Sequence, residues 1–225
     1  MKILAFDTSS SGVSIAITSG KNILSKSIIK NDKQSEILIT EFEKILSKNN
    51  LWYNQLDAIA ATSGPGSFTG VRVGLSAART LKIATKLPLI LISSLEVIAF
   101  KYKEYQGQIV VAIDAKMNEF FIGKFHCDNF KIKQIGEFAI ANLENIKEFL
   151  PQEKFLLCGN AKNEIIKNIT DIEFDFEQQE DEVEPELLAN LAYDKIISNN
   201  NQENLDAIYL RQPKITARKQ KEAKS

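Results

Sequence analysis

The sequence predicts an α/β protein in which one βββαβαβα unit is written twice, and three observations carry that expectation. Apolar strand-like runs and amphipathic helical stretches follow one another in the same order through both halves of the 225 residues. A shift of 107 positions lays Ile3-Leu4-Ala5-Phe6-Asp7 on Val110-Val111-Ala112-Ile113-Asp114, apolar on apolar and Asp on Asp. With 44% hydrophobic residues, the chain is long enough to bury a substantial core.

The first half opens on strand-like runs near 2–7, 12–18 and 23–30, a tight meander, followed by an amphipathic helix near 34–48. Leu56 to Thr62 reads as a buried strand, Ser67 to Lys86 as a helix, and Leu89 to Ile92, after Pro88, as another buried strand. Ser93 and Glu96 have capping-box spacing and start the last helix of this half. From Gln108 the order returns: strands near 108–113, 119–126 and 130–139, a helix near 142–150 and a strand at 154–158. A helix near 160–168, a short strand at 172–176 and a helix near 185–198 complete it. The expected division is a first lobe over 1–104, a second over 105–212 whose last helix packs back on the first, and a disordered basic tail over 213–225.

Composition narrows the functional classes. A net charge of −1 argues against a surface that holds nucleic acid over its whole extent, so any RNA is held locally or by a partner. Two local biases stand out. Asp171 to Glu186 holds nine acidic residues and no basic one, which reads as a solvated acidic edge. Arg211 to Ser225 holds six basic residues (Arg211, Lys214, Arg218, Lys219, Lys221 and Lys224) against Glu222, a frayed tail or a contact for RNA or an acidic partner. No apolar run approaches the eighteen or so residues that cross a bilayer, and Asp7 interrupts any secretory leader at the start. Two cysteines, Cys127 and Cys158, do not make a disulfide framework, so the expected location is the cytosol.

A repeated βββαβαβα unit resembles the actin, Hsp70 and sugar-kinase superfamily, in which two such domains face each other across a cleft that holds ATP. In that superfamily the first hairpin turn of each domain lies against phosphate. The first turn here, Asp7-Thr8-Ser9-Ser10-Ser11-Gly12, is small and hydroxylic, so its backbone is open to phosphate, with Asp7 either orienting a metal or capping the turn. The second, Asp114-Ala115-Lys116-Met117-Asn118-Glu119, has no glycine and an added carboxylate, which makes it a poor cradle.

Leu56 to Gly70 runs as a strand through the glycine-rich loop Gly64-Pro65-Gly66-Ser67 into a helix. Such loops bind anions at helix N-termini, but no Lys-Ser or Lys-Thr follows, so this is not a Walker loop. Gly70, Gly74, Ala77 and Ala78 recur at helical spacing and leave one helix face nearly bare, which marks a close approach within the domain or between subunits. Arg72 and Arg79 fall together on one side of that helix.

The segments Ile3 to Ser9, Gly64-Pro65-Gly66-Ser67-Phe68-Thr69-Gly70-Val71-Arg72-Val73-Gly74-Leu75, Ala112 to Met117 and Ile208-Tyr209-Leu210-Arg211 resemble the TsaB family of bacterial tRNA threonylcarbamoyladenosine biosynthesis proteins. The resemblance implies a non-catalytic subunit that pairs with its catalytic paralogue TsaD and with the ATPase TsaE, and reaches tRNA through that complex. It implies a partner surface on the helix after the glycine loop and the helix before it, with Gly70, Gly74, Ala77, Ala78, Ser67 and Arg72 at the contact. Alone, such a subunit pairs with itself. Asp7, Thr8, Ser9, Gly12 and Asp114 would be remnants of a nucleotide cleft; this subunit would need no cofactor, and ATP or ADP would belong to the complex. Gln34-Ser35-Glu36 stands where many members have His-Ser-Glu. The only histidine, His126, cannot form the metal site a catalytic paralogue needs, so no metal and no catalytic residue are expected. His126 and Cys127, adjacent on a strand, point to opposite faces and make no nucleophilic pair. The alternative is a stand-alone ATP-dependent small-molecule kinase of the same superfamily, with Asp7 orienting Mg-ATP.

Overall fold

Alternation along the strands decides the layering. In β1 (Lys2–Asp7), Ile3 and Ala5 point to one face and Leu4 and Phe6 to the other, and all four are buried. A strand apolar on both sides must be covered on both. β1 is the middle of a five-stranded sheet, with β2 (Val13–Ser19) antiparallel on one side and β4 (Ala58–Thr62) parallel on the other. β3 (Asn22–Ile29) and β5 (Leu89–Ile92) form its edges. The second sheet repeats the plan: β6 (Gly107–Lys116) lies between antiparallel β7 (Glu119–Asp128) and parallel β9 (Phe155–Cys158), with β8 (Lys131–Asn142) and β10 (Phe174–Asp175) outside. This is the expected duplicated α/β architecture, seen in a computed structural model that describes residues 1–31, 33–179, 181–198, 206–208 and 210. The basic residues from Arg211 onward lie outside the described residues.

Leu4 and Phe6 meet α1 (Gln34–Lys48) and α2 (Phe68–Thr85) on the outer face of the first sheet, where Phe6 and Phe42 lie edge to face with centroids 4.8 Å apart. Ile3 and Ala5 face inward, into a core shared with α3 (Ser94–Lys101), α5 (Pro185–Ile197) and Ile109, Val111 and Ile113 of β6. α3 packs chiefly on β6 and β7, and α5 chiefly on β1 and β2, so each inner helix lies on the sheet of the other half. Val110, Ala112, Phe120 and Ile122 form the outer face of the second sheet, under α4 (Lys162–Asn168) and the residues around Ile146 and Leu150.

The helix caps follow from the sequence. Ser67 accepts from the Gly70 N–H at 3.2 Å and starts α2. Ser93 accepts from the Leu95 N–H at 3.1 Å and starts α3, while Glu96 pairs outward with Lys195 at 2.8 Å instead of closing a capping box.

Two expectations are corrected. No α-helix forms over 142–150: β8 runs on to Asn142, and a single 3-10 turn at Ile146–Phe149 follows. Asn142 Oδ1 accepts from the N–H groups of Glu144 at 2.9 Å and Asn145 at 3.2 Å, and Asn145 Oδ1 accepts from the Asn142 N–H at 2.8 Å, so these side chains close a local turn in place of a helical start, and Pro151 ends the segment. The offset of 107 is also displaced. Ile3 and Ala5 share the inner face with Ile109 and Val111, so matching faces requires an even offset, such as the 106 that lays Ile3 on Ile109. Asp114 is therefore not the counterpart of Asp7.

Candidate functional site

The two hairpin turns and the glycine loop do meet, around a cleft of about 720 Å³. One wall is Ser9 to Ser11 with Pro65 to Phe68, the opposite wall Asp114 to Met117 with Asn160, and Ile98, Ile113 and Phe121 give an apolar floor. Gln34, the first residue of α1, also lines it, as do Ile208 and Leu210.

The first turn is filled from within. Asp7 is 2% exposed, and its Oδ1 accepts from the Ser9 N–H at 2.9 Å, from Ser9 Oγ at 2.5 Å and from the Thr62 hydroxyl. Its Oδ2 accepts from Ser10 Oγ at 2.9 Å and from the Ser10 N–H at 3.3 Å. The Gly12 N–H is bonded to Ser10 O at 3.1 Å. The Ser9, Ser10 and Gly12 amides are thus bonded within the chain itself. Gly12 is a glycine because its φ is +131° and a Cβ there would lie 2.1 Å from Ile29 O, which places the β3 backbone, not a ligand, against it. Replacing Asp7 with Ala is expected to cost about 2 kcal/mol, since it orphans the buried donors of Ser9 and Thr62; a denaturation midpoint unchanged from the parent protein would contradict this reading of the turn.

The second turn carries its own charge pair. Lys116 Nζ lies 2.6 Å from Asp114 Oδ2, and the Lys116 N–H donates to Asp114 Oδ1 at 2.7 Å. Burial pushes the Asp114 carboxyl up, but these Lys116 bonds outweigh it and hold the group below its usual value.

The glycine loop buttresses the first turn. Ser67 N–H donates to Ser9 O at 2.7 Å, Ser94 N–H to Gly64 O at 2.8 Å, and Ile208 N–H to Ser63 O at 2.8 Å. A Cβ on Gly66 would stand 2.4 Å from Ser9 O. The bare face of α2 continues this packing. Thr8 Oγ1 donates to Gly70 O at 2.7 Å, and a Cβ would meet Thr8 O at 1.9 Å from Gly70 or Thr8 Oγ1 at 2.3 Å from Gly74. Gly70, Gly74 and Ala78 are buried and Ala77 half-buried in the chain's own outer core, which corrects their assignment to a subunit contact. Ser67 and Arg72 are exposed, with the Arg72 guanidinium 3.7 Å from the centroid of the Phe68 ring.

Sequence reasoning missed a buried ionic cluster beside the cleft. Lys162, 1% exposed at the start of α4, lies 2.6 Å from Asp181 Oδ2, which also accepts from the Gly159 N–H at 3.0 Å. Asp181 Oδ1 accepts from Tyr102 OH at 2.5 Å and faces Lys101 at 3.3 Å. A lone lysine opening a helix gives no sequence signal of burial. The acidic stretch around Asp181 is not a free edge either: Asp171 pairs with Lys147, Asp175 with Lys154, Glu182 with Lys30, Glu184 with Lys101 and Glu186 with Lys26.

His126 is exposed and Cys127 buried, on opposite faces of β7, and burial pushes the Cys127 thiol up. Cys158 is buried and its thiol is raised further by the same cause. Among the described residues no three His, Cys, Asp or Glu side chains gather where they could hold a metal, and no helix is long and apolar enough to cross a membrane.

Fold and site together define an actin-like duplicated protein whose first hairpin turn is closed on itself. The TsaD family model, described as tRNA N6-adenosine threonylcarbamoyltransferase, matches residues 23–199. The chain is 32% identical to the tRNA threonylcarbamoyladenosine biosynthesis protein TsaB of Buchnera aphidicola subsp. Schizaphis graminum, over 72% of this chain and 80% of that one. It is 34% identical to the TsaB of Haemophilus influenzae over 61% of this chain, a match that spans only 59% of that relative. YeaZ from Pseudomonas aeruginosa superposes with a TM-score of 0.78 at 22% identity, covering 93% of this chain and 99% of that one. A putative N-acetylmannosamine kinase from Listeria monocytogenes shares the fold with a TM-score of 0.53 at 11% identity, over 89% of this chain and 100% of that one. The chain belongs to the TsaB family.

Proposed function

We propose that this chain is the non-catalytic subunit of a cytosolic complex that forms threonylcarbamoyladenosine next to the anticodon of tRNAs reading codons that begin with A. Its partners are the catalytic paralogue TsaD and the ATPase TsaE. The observation that carries the non-catalytic part is the closed first turn: Asp7 accepts five hydrogen bonds from Ser9, Ser10 and Thr62 and presents no free oxygen to a metal or nucleotide. Coexpression of TsaD and TsaE with and without this chain tests it. Modified tRNA is expected only when the chain is present, and equal modification in its absence overturns the proposal. ATP turnover by the purified chain alone would favour the kinase alternative instead.

Pairing with TsaD, and self-pairing when the chain is alone, would use the outward faces of α1 and α2. Ile39 on α1 and Phe68 and Ile83 on α2 are 49%, 43% and 79% exposed in this outer layer. Arg72 would lie in the same contact. Ile83→Asp is expected to weaken pairing at least tenfold, about 1.4 kcal/mol, while the monomer keeps its melting temperature, since the side chain it replaces touches solvent. Undiminished pairing in size-exclusion chromatography would remove α2 from the interface.

A further inference from the structure

The duplication supplies an internal control for one surface. In the first half, α1 seats Leu38, Phe42 and Ile45 over the outer face of the β2–β3 hairpin. In the second half only the 3-10 turn Ile146–Phe149 stands in that place. Ile146 and Leu150 cover Phe120 and Ile122, and the register breaks beyond Ile122, where Lys124 pairs with Ile135. Past the break the outer face of the β7–β8 hairpin holds no member of a buried core.

A face bared by a shortened helix needs only polar residues. This one is cationic. Lys124, His126 and Asp128 of β7 share it with Ile135, Lys133 and Lys131 of β8, with His126 directly opposite Lys133 and Lys124 diagonal to it. The three lysines gather on one face around a single carboxylate, Asp128, an excess of positive charge that favours an anion lying over it. Asp128 stands opposite Lys131 and Glu137 lies in the irregular stretch, yet neither forms an ion pair with these lysines. Guarding a sheet edge accounts for lysines on β8, the edge strand, but not for Lys124 and His126 on β7, which is paired on both sides.

We propose that this outer face of the β7–β8 hairpin is a docking surface for the phosphate backbone of RNA, separate from the α1–α2 face. It rests on the tRNA-linked function proposed above. Lysine point charges on a regular strand lattice suit phosphates, which are contacted without reading sequence, and a chain of net charge −1 has to concentrate such contacts in one place.

The test is tRNA binding by the complex of this chain with TsaD and TsaE, comparing the parent chain with Lys124→Glu/Lys131→Glu/Lys133→Glu across a salt series. At roughly 150 mM salt the variant is expected to bind at least tenfold more weakly. Its plot of log affinity against log salt should be shallower by about 2 to 3, the slope carried by three phosphate contacts. Because all three side chains are outward, the melting temperature and the pairing with TsaD should be retained. Unchanged affinity and slope overturn the proposal, as does a parent chain that adds nothing to the tRNA affinity of TsaD and TsaE. Lost pairing with TsaD at constant tRNA affinity would assign the face to an acidic protein surface and overturn it equally. Failure of the functional reading shows separately, as threonylcarbamoyladenosine formed without this chain.

Discussion

Gly70→Ala is expected to lower the melting temperature by about 6–12 °C, corresponding to roughly 3 kcal/mol in a chain of this size. Helix propensity alone predicts the opposite sign, because alanine is favoured over glycine inside a helix by about 1 kcal/mol. The sign reverses because the added methyl would stand 1.9 Å from Thr8 O, a backbone atom that cannot rotate away. Relieving the clash moves α2 off β1 and weakens the 2.7 Å bond from Thr8 Oγ1 to Gly70 O. Calorimetry on the isolated monomer decides between the two. A stabilised variant would mean that the bare face of α2 is open after all, and would restore it as a subunit contact.

Lys162→Met should cost more, about 4 kcal/mol, since it leaves the buried Asp181 carboxylate without its 2.6 Å partner. Burial alone would push the Asp181 carboxyl up, but bonds from Lys162, Tyr102 and the Gly159 N–H prevail and hold it below its ordinary value. A carboxyl depressed in the fold contributes stability that is present above its unfolded value of about 3.9 and is lost as pH falls through the lower folded value. The difference between parent and variant should therefore be widest at neutral pH and narrow below about pH 4. Denaturant titrations at pH 7 and pH 3 measure it. A gap that is the same at both would show that Lys162 acts through packing of its stem rather than through its charge.

Much of the architecture was legible because the strands are unambiguous. Ile3 to Phe6 and Ile109 to Ala112 are apolar on both faces, and only strands covered on both sides read that way. The same property hid their register: a strand apolar at every position looks identical after a slip of one, so the lure of Asp7 on Asp114 gave an odd offset where the faces require an even one. At the α2 glycines, spacing announced a close approach without saying to what, and Thr8 lies too far off in sequence for local pattern to name it. The stretch from Asn142 to Leu150 has apolar residues at helical spacing, Leu143, Ile146 and Leu150, but the Asn142 side chain bonds and Pro151 outweigh that pattern. Lys162 was invisible for a simpler reason: its partner is a single carboxylate inside an acidic run, and composition treats all nine alike.

The exchange of inner helices, α3 onto the second sheet and α5 onto the first, has a mechanical consequence. Enzymes with two actin-like domains work by swinging those domains about a hinge, which requires a seam that opens at little cost. Here that swing would tear Leu95 and Leu188, both fully buried, away from β-sheet residues of both halves. The two sheets are bolted to each other through each other's helices, and parting them would expose the apolar core they share. A change at one outer face therefore has a packed route through that shared core to the other sheet.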